Sequence, residues 1–406
     1  MLKSLRTEDW VSTIIGAIIL VLVILFHGVE LNGAPVMRNS IVLFFVIGTL
    51  TYLGYLFMGN KDKKGGYFIS FIAISLLAWL SSWLSNFAFS EMMGIESVLF
   101  AVTIGLLIRN TIGLPNWMAD AVKSEYFIKA GLVVLGSSIL FSEVMRAGAL
   151  GMIQGIAVVL SVWYFSFWLS TKIFKIDQEM SMLLSSAVSI CGVSAAIATN
   201  GAIKGDPKKL SFVVSLVLIV AIPMMYIMPY AAMWMGLTAE TTGAWLGGTI
   251  DTTAAVVASG ALHGEVAEQV AVIVKSSQNV LLGAAALIIS IYWSYKGTSD
   301  KQLRPSGAVI WERFPKFVLG FLFASLVFSL FFDEQTGMAL SRTANGGARQ
   351  LLFSLAFVCI GLETDFRYIF KKENAKYIWS FLVAQGFNIL ITLILAILLF
   401  RNFSLG

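Results

Sequence analysis

Charged and hydroxylated side chains that could do chemistry gather at three places in this chain. The first is Gly247 to Asn279, where Thr249, Asp251, Thr252 and Thr253 open one apolar segment and Lys275, Ser276, Ser277, Gln278 and Asn279 sit inside the next. The two segments meet near His263 and Gly264. Read as an antiparallel helical hairpin, Asp251 lies 13 residues before Gly264 and Lys275 lies 11 after it. Both groups are then about 17 to 20 Å from the turn at ~1.5 Å per residue, and are expected to be neighbours at one depth. Such a pair could simply hold two helices together. With three threonines around Asp251 and two serines, a glutamine and an asparagine after Lys275, it could also line a hydrated cavity. There Lys275 would attract an anion, while Asp251 would tune that charge or carry a coupling proton or sodium ion.

The second place, Ser185 to Asn200, reads SSAVSICGVSAAIATN. Glycine, alanine and serine at this density let helix backbones approach closely, yet packing alone leaves Ser189, Ser194, Thr199 and Asn200 unexplained. A helix interrupted around Cys191 and Gly192 accounts for them. Val193 and Ser194 would open its second half, whose free N–H groups and positive dipole end attract anions. The third place, Val358 to Phe366, sets Gly361, Glu363, Thr364 and Asp365 just before Arg367. It reads either as the charged end of a helix or as another interruption, with Gly361 to Thr364 facing the Gly192 region. The candidate solute-binding residues are therefore Ser189, Cys191, Gly192, Val193, Ser194, Thr249, Asp251, Thr252, Thr253, Lys275, Ser276, Asn279, Gly361, Glu363 and Thr364. Gln154, Asn388 and Lys129 stand alone in apolar runs and read as interhelical hydrogen bonds or snorkelling ends.

The elements that must position these groups are apolar throughout. Of 406 residues 58% are hydrophobic and 13% charged, with a mean hydropathy of +0.84; ordinary soluble domains do not have this make-up. Thirteen apolar segments follow one another: 10–29, 41–58, 67–89, 95–108, 126–141, 150–174, 180–203, 210–235, 241–262, 266–292, 317–332, 350–366 and 377–400. The first lacks a cleavage pattern and reads as a transmembrane helix. In a hydrocarbon layer of ~30 Å, Asp251 and Lys275 fall near mid-depth, where an ionisable group is costly unless paired or wet. The expected fold is an all-α polytopic membrane protein.

The net charge of +5 is explained by cytoplasmic loop lysines and arginines, with no basic soluble face for nucleic acid. Two cysteines and two histidines offer no disulfide or metal spacing. Walker, zinc-protease and nucleophile-elbow signatures are absent, so neither ATP energy nor an enzyme is indicated.

Loop cations orient the chain with its N-terminus inside: Lys61, Lys63 and Lys64, then Arg109 and Lys123, Lys172 and Lys175, Lys296, Lys301 and Arg304, and Arg367, Lys371, Lys372 and Lys376 fall on the cytoplasmic side. The loop of Lys204, Lys208 and Lys209 disagrees. Either the rule breaks there, or 180–203 and 241–262 dip in and return from opposite faces. Two internal echoes are present. Ser194 to Gly205 resembles Thr253 to Gly264 at a constant offset of 59 residues, and Cys191-Gly-Val-Ser194 resembles Cys359-Ile-Gly-Leu-Glu363. The second echo fits inverted repeats whose corresponding helices are broken near the bilayer centre.

Four motifs taken together, Ser189 to Ala196, Gly247 to Gly260, Val272 to Lys275 and Ile360 to Leu362, resemble the YeiH-type sulfate exporter family, over roughly Ile95 to Phe400. That family is grouped with the bile acid, arsenite and riboflavin transporters. The resemblance implies inverted five-helix repeats at about 95–236 and 240–401, with crossed discontinuous helices at Met180 to Ile203 and Gln350 to Phe366. Residues 1–90 would be additional N-terminal helices. It also implies a secondary transporter in the inner (plasma) membrane, exporting a small anion such as sulfate or an organosulfonate by alternating access around a midplane site. Expected partners are the anionic solute and the lipid bilayer, with a homodimer compatible and no nucleic acid; no cofactor or metal is expected beyond coupling to sodium or protons. The alternatives are a sodium-coupled carboxylate or bile-acid-like importer, and an anion channel. Shorter family members carry a His-Glu pair where this chain has Asp251-Thr252, which leaves substrate and coupling ion open.

Overall fold

A computed structural model describes residues 4–31, 34–60, 66–86, 97–295, 308–366 and 374–405. Lys61, Lys63, Lys64, Lys296, Lys301, Arg304, Arg367, Lys371 and Lys372, on which the orientation partly rests, lie outside them, as do the ends Phe89 and Ile95 of two expected segments. In chain order come α1 (Glu8–Leu25), α2 (Ser40–Phe57), α3 (Gly66–Ser85), α4 (Ser97–Thr111), α5 (Ser124–Leu135) and α6 (Phe141–Trp168). Then follow α7 (Gln178–Ser189), α8 (Val193–Ile203), α9 (Pro207–Trp234), α10 (Ala239–Thr249), α11 (Thr253–His263), α12 (Glu265–Tyr295) and α13 (Ala308–Arg313). The described helices end with α14 (Lys316–Phe331), α15 (Glu334–Ala344), α16 (Gln350–Glu363) and α17 (Ala375–Phe400). Among the described residues, 8 helices are long and apolar enough to cross a membrane. The chain is an all-α polytopic membrane protein.

One boundary differs from the hydrophobic pattern. The segment 126–141 breaks after Leu135, and the next helix begins at Phe141 instead of Leu150. Ser137 and Ser138 explain the stop, because their hydroxyls donate to Val134 O and Leu135 O at 2.8 Å and compete with helical backbone pairing.

The helices form two compact units, residues Met1–Val144 with Lys316–Thr364, and Met145–Pro315 with Asp365–Gly406. Each unit draws on both of the expected repeats. In the first, α1 packs on α5 and α14, and α16 packs on α4 and α5. Lys129 of α5 lies 2.7 Å from Asp9, 3.2 Å from Glu8 and 3.8 Å from Glu125. It therefore clamps the acidic first turn of α1 to α5 and is not a snorkelling end.

The expected interruption of 350–366 is not found: α16 runs unbroken to Glu363. The reason is packing. A Cβ on Gly361 would sit 2.3 Å from Val102 O and 2.6 Å from Leu106 N, so this glycine lets α4 touch the α16 backbone.

In the second unit, two consecutive triplets repeat one design. Helices α7, α8 and α9 of 12, 11 and 28 residues are followed by α10, α11 and α12 of 11, 11 and 31. The partner of the broken 178–203 helix is thus 239–263. Side chains open most of these elements: Asp177 caps Met180 N, Asp206 caps Lys208 N and Thr238 caps Thr241 N. Val158 and Val162 of α6, Leu184 and Val188 of α7, Leu216 of α9 and Phe381 of α17 form one buried apolar cluster that joins the first triplet to α6 and α17.

Gly361→Val is expected to lower the stability of the first unit by about 1 to 3 kcal/mol, because backbone atoms, which cannot rotate away, meet the new side chain. Thermal unfolding in detergent checks this; a wild-type midpoint would remove the packing explanation.

Candidate functional site

The two broken helices meet at their breaks. Between α7 and α8 the chain leaves helical geometry at Ile190 (φ −119°, ψ −89°) and Gly192 (φ 52°, ψ −105°). A side chain on Gly192 would begin 2.6 Å from Val217 Cγ1 and 3.1 Å from both Cβ and O of Asp251. Only glycine suits this position, since a positive φ costs other residues energy and the space is filled. Asp251 itself sits in the second break, between Thr249, the last residue of α10, and Thr253, the first of α11.

A break deep in a membrane exposes backbone groups that water cannot serve there. Here α12 and α17 serve the carbonyl ends. Lys275 Nζ donates to Ile190 O at 2.8 Å and to Gln278 Oε1 at 2.9 Å. Gln278 Nε2 donates to Ser189 O at 3.0 Å and Gly248 O at 3.3 Å, so one amide joins the ends of α7 and α10. From α17, Asn388 donates to Val188 O and Thr249 O, and Gln385 donates to Thr249 O at 3.0 Å. The cation therefore lies at a negative helix end and Asp251 lies beside a positive one, the arrangement that helix dipoles favour.

Asp251 is 2% exposed and Lys275 1%, and the Lys275 charge acts on the Asp251 carboxyl. The helices that carry them pack together, α10 and α11 both lying against α12, while the Lys275 ammonium is committed to a helix end. Thr252 Oγ1 caps α11 through Ala255 N at 3.2 Å, and Thr253 Oγ1 accepts from Asn279 Nδ2 at 3.3 Å. By contrast α8 has no side-chain cap, and Ser194 in its first turn is exposed. Among the buried side-chain oxygens of the unit that have no hydrogen-bond partner are Thr249 Oγ1, Asp251 Oδ2, Ser276 Oγ and Asn279 Oδ1, at the second break and on α12. Ser189 Oγ turns back onto Ser185 O at 2.7 Å, and Cys191 is buried without a disulfide.

Gly361, Glu363 and Thr364 belong to the first unit and find their partners there. Glu363 accepts from Ser124 N at 2.8 Å and Ser124 Oγ at 2.5 Å, capping α5, and Thr364 O accepts from Asn110 Nδ2 at 3.0 Å. These are structural contacts of the charged helix end. Gln154 and Asn388 are interhelical donors, Gln154 to Ala244 O at 2.8 Å. Gln278 and Gln385 were not among the candidates. Their signal was a second amide three or four residues from a polar neighbour on one helical face, Lys275 and Gln278, or Gln385 and Asn388.

A family description, Conserved hypothetical protein 698, matches residues 69–380. The chain belongs to this family. A UPF0324 membrane protein of Rhodopirellula baltica is 38% identical over 350 residues, 84% of this chain and 64% of the relative. One from Nitratidesulfovibrio vulgaris is 36% identical over 372 residues, 88% of this chain and 63% of the relative; one from Nitrosomonas europaea is 28% identical and matched over 89% of both chains. The chain thus spans less than two thirds of the length of the first two relatives. No solved structure matches it. In this member of the Conserved hypothetical protein 698 family, the matched span includes both breaks, Lys275 and Gln278.

For this family member, Asp251→Asn and Lys275→Gln are each expected to lower stability by about 3 kcal/mol or more, since each leaves one buried charge uncompensated. The double variant is expected to lose at least ~1 kcal/mol less than the sum of the two. A double-mutant cycle from chemical unfolding in detergent checks this, and additive losses would separate the two charges energetically.

Proposed function

We propose that this membrane protein is a secondary transporter of a small anion, of the sulfate or organosulfonate class, acting as an exporter of the YeiH type. The observation that carries the reading is the meeting of two broken helices around Asp251 and Lys275, buried at 2% and 1% exposure. Breaking two helices and burying two charges in an apolar layer is costly, and membrane proteins hold such groups where solutes or ions move. The start of α8 favours an anion: its first N–H groups have no side-chain acceptor, and a compact oxyanion suits several N–H donors at once. Lys275 contributes positive charge from the side of Ile190, and its bonds to Ile190 O and Gln278 hold it there. Access would alternate around the breaks, with the chain in the inner membrane and its N-terminus cytoplasmic.

Proteoliposomes loaded with labelled sulfate, sulfite, taurine or a small carboxylate test the reading. Saturable flux of a sulfur oxyanion or sulfonate is expected from the wild type, and Gly192→Val is expected to abolish it by filling the space beside Asp251. Non-saturating flux would point to a channel. Flux restricted to carboxylates with sodium would replace this substrate class with the importer alternative.

A further inference from the structure

The two half-helices that begin at the breaks are served differently. Thr252 Oγ1 caps α11, whereas Gly192 offers α8 no side chain. Beside that open start stands an acidic group of the other broken helix: Asp251, whose Cβ and O lie 3.1 Å from where a Gly192 side chain would begin. Its Oδ2 accepts no hydrogen bond. An ionised Asp251 and an incoming anion would be drawn to the same positive end. Two like charges within a few Å in a poorly screened site repel strongly, and one of them must be neutral for both to stay.

We infer that Asp251 admits an anion to the start of α8 only after taking up a proton, so that one proton enters the site with each anion. This rests on the anion-carrier reading and adds its coupling ion. The other groups around Asp251 leave that role to it. From α12, Lys275 compensates one negative charge and is held by Ile190 O and Gln278 Oε1; Glu268, two turns earlier on α12, packs against Gly260 near the far end of α11. The α7–α8 break holds the buried Cys191 next to Gly192 in sequence, α9 brings the apolar Val217 against Gly192, and α17 brings the neutral amides of Gln385 and Asn388 to Thr249 O. A sodium ion would need several oxygens at once. The carbonyls of Val188, Ser189, Ile190, Gly248 and Thr249 already accept from N–H donors, whereas Thr249 Oγ1, Ser276 Oγ and Asn279 Oδ1 stay open. A proton on Asp251 neutralises it without gathering those oxygens around one ion, and a comparison of sodium with choline separates the two cations.

The experiment is calorimetric binding of sulfate and of isethionate to the full chain in detergent. It is run at matched pH in two buffers of different ionisation enthalpy, with choline or sodium as counter-ion. About one proton taken up per anion is expected, with affinity falling about tenfold per pH unit once Asp251 ionises, whichever counter-ion is present. Asp251→Asn is expected to keep, at high pH, the affinity the wild type reaches only at low pH, with no proton uptake. Wild-type binding without proton uptake between about pH 5 and 9 would overturn the inference while leaving an anion carrier, as would affinity that follows sodium. The wild-type proton count decides this even if the variant does not fold. Absence of anion binding at every pH would overturn the carrier reading itself, and the inference with it.

Discussion

The second unit depends on the way two interrupted backbones compensate one another. Each break leaves a carbonyl end and an N–H end where water is not at hand, and hydrocarbon offers no partner for either. Lys275 and Gln278 reach the carbonyl ends of α7 and α10 from a single helix, and Asp251 lies beside the start of α8. Remove the ammonium and Ile190 O loses its donor while Asp251 loses its counter-charge. The same few atoms therefore hold the two helices together and set the charge of the site, so stability and site electrostatics are not separable here.

That junction dictates what surrounds it. α12 must run close and straight past both breaks, and glycines make this possible: a Cβ on Gly151 of α6 would meet Val274 Cα at 3.1 Å, and one on Gly247 of α10 would meet Ala271 O at 2.5 Å. On the opposite side α17 brings Gln385 and Asn388, whose amides satisfy the last carbonyls of α7 and α10. The apolar cluster of α6, α7, α9 and α17 fixes those amides in place. Buried amides suit this task because they donate without adding charge to a site that already holds a carboxylate and an ammonium.

Much of this was legible in the sequence because polar residues are scarce in it. Each one buried in an apolar run demanded an explanation, which led to Asp251, Lys275 and the Gly192 interruption. The partner of that interruption was misplaced at Gly361 because a glycine followed by a polar residue looks alike in both settings. At Gly192 the glycine supplies a positive φ, while at Gly361 it supplies room for Val102 O, and one-dimensional pattern does not separate the two uses. The echo between Ser194 to Gly205 and Thr253 to Gly264 held the right answer, since it pairs α8 with α11. The α5 stop was also hidden, because Ser137 and Ser138 end a helix by local hydrogen bonds that hydropathy does not register.

What distinguishes this junction from a purely structural one is the state of its oxygens. A buried ion pair that only joined helices could be exchanged for apolar side chains of similar volume with little loss, and its surroundings would be fully satisfied. Around Glu363 in the first unit this is the case, since both carboxylate oxygens accept from Ser124. In the second unit Thr249 Oγ1, Asp251 Oδ2 and Asn279 Oδ1 have no protein partner, although five neighbouring carbonyls do. The backbone at the breaks is satisfied while these side chains are not. The carbonyl ends of the junction are closed while a carboxylate oxygen, a hydroxyl and an amide oxygen there stay without a protein partner, and the proposed exchange of protons and solutes rests on that difference.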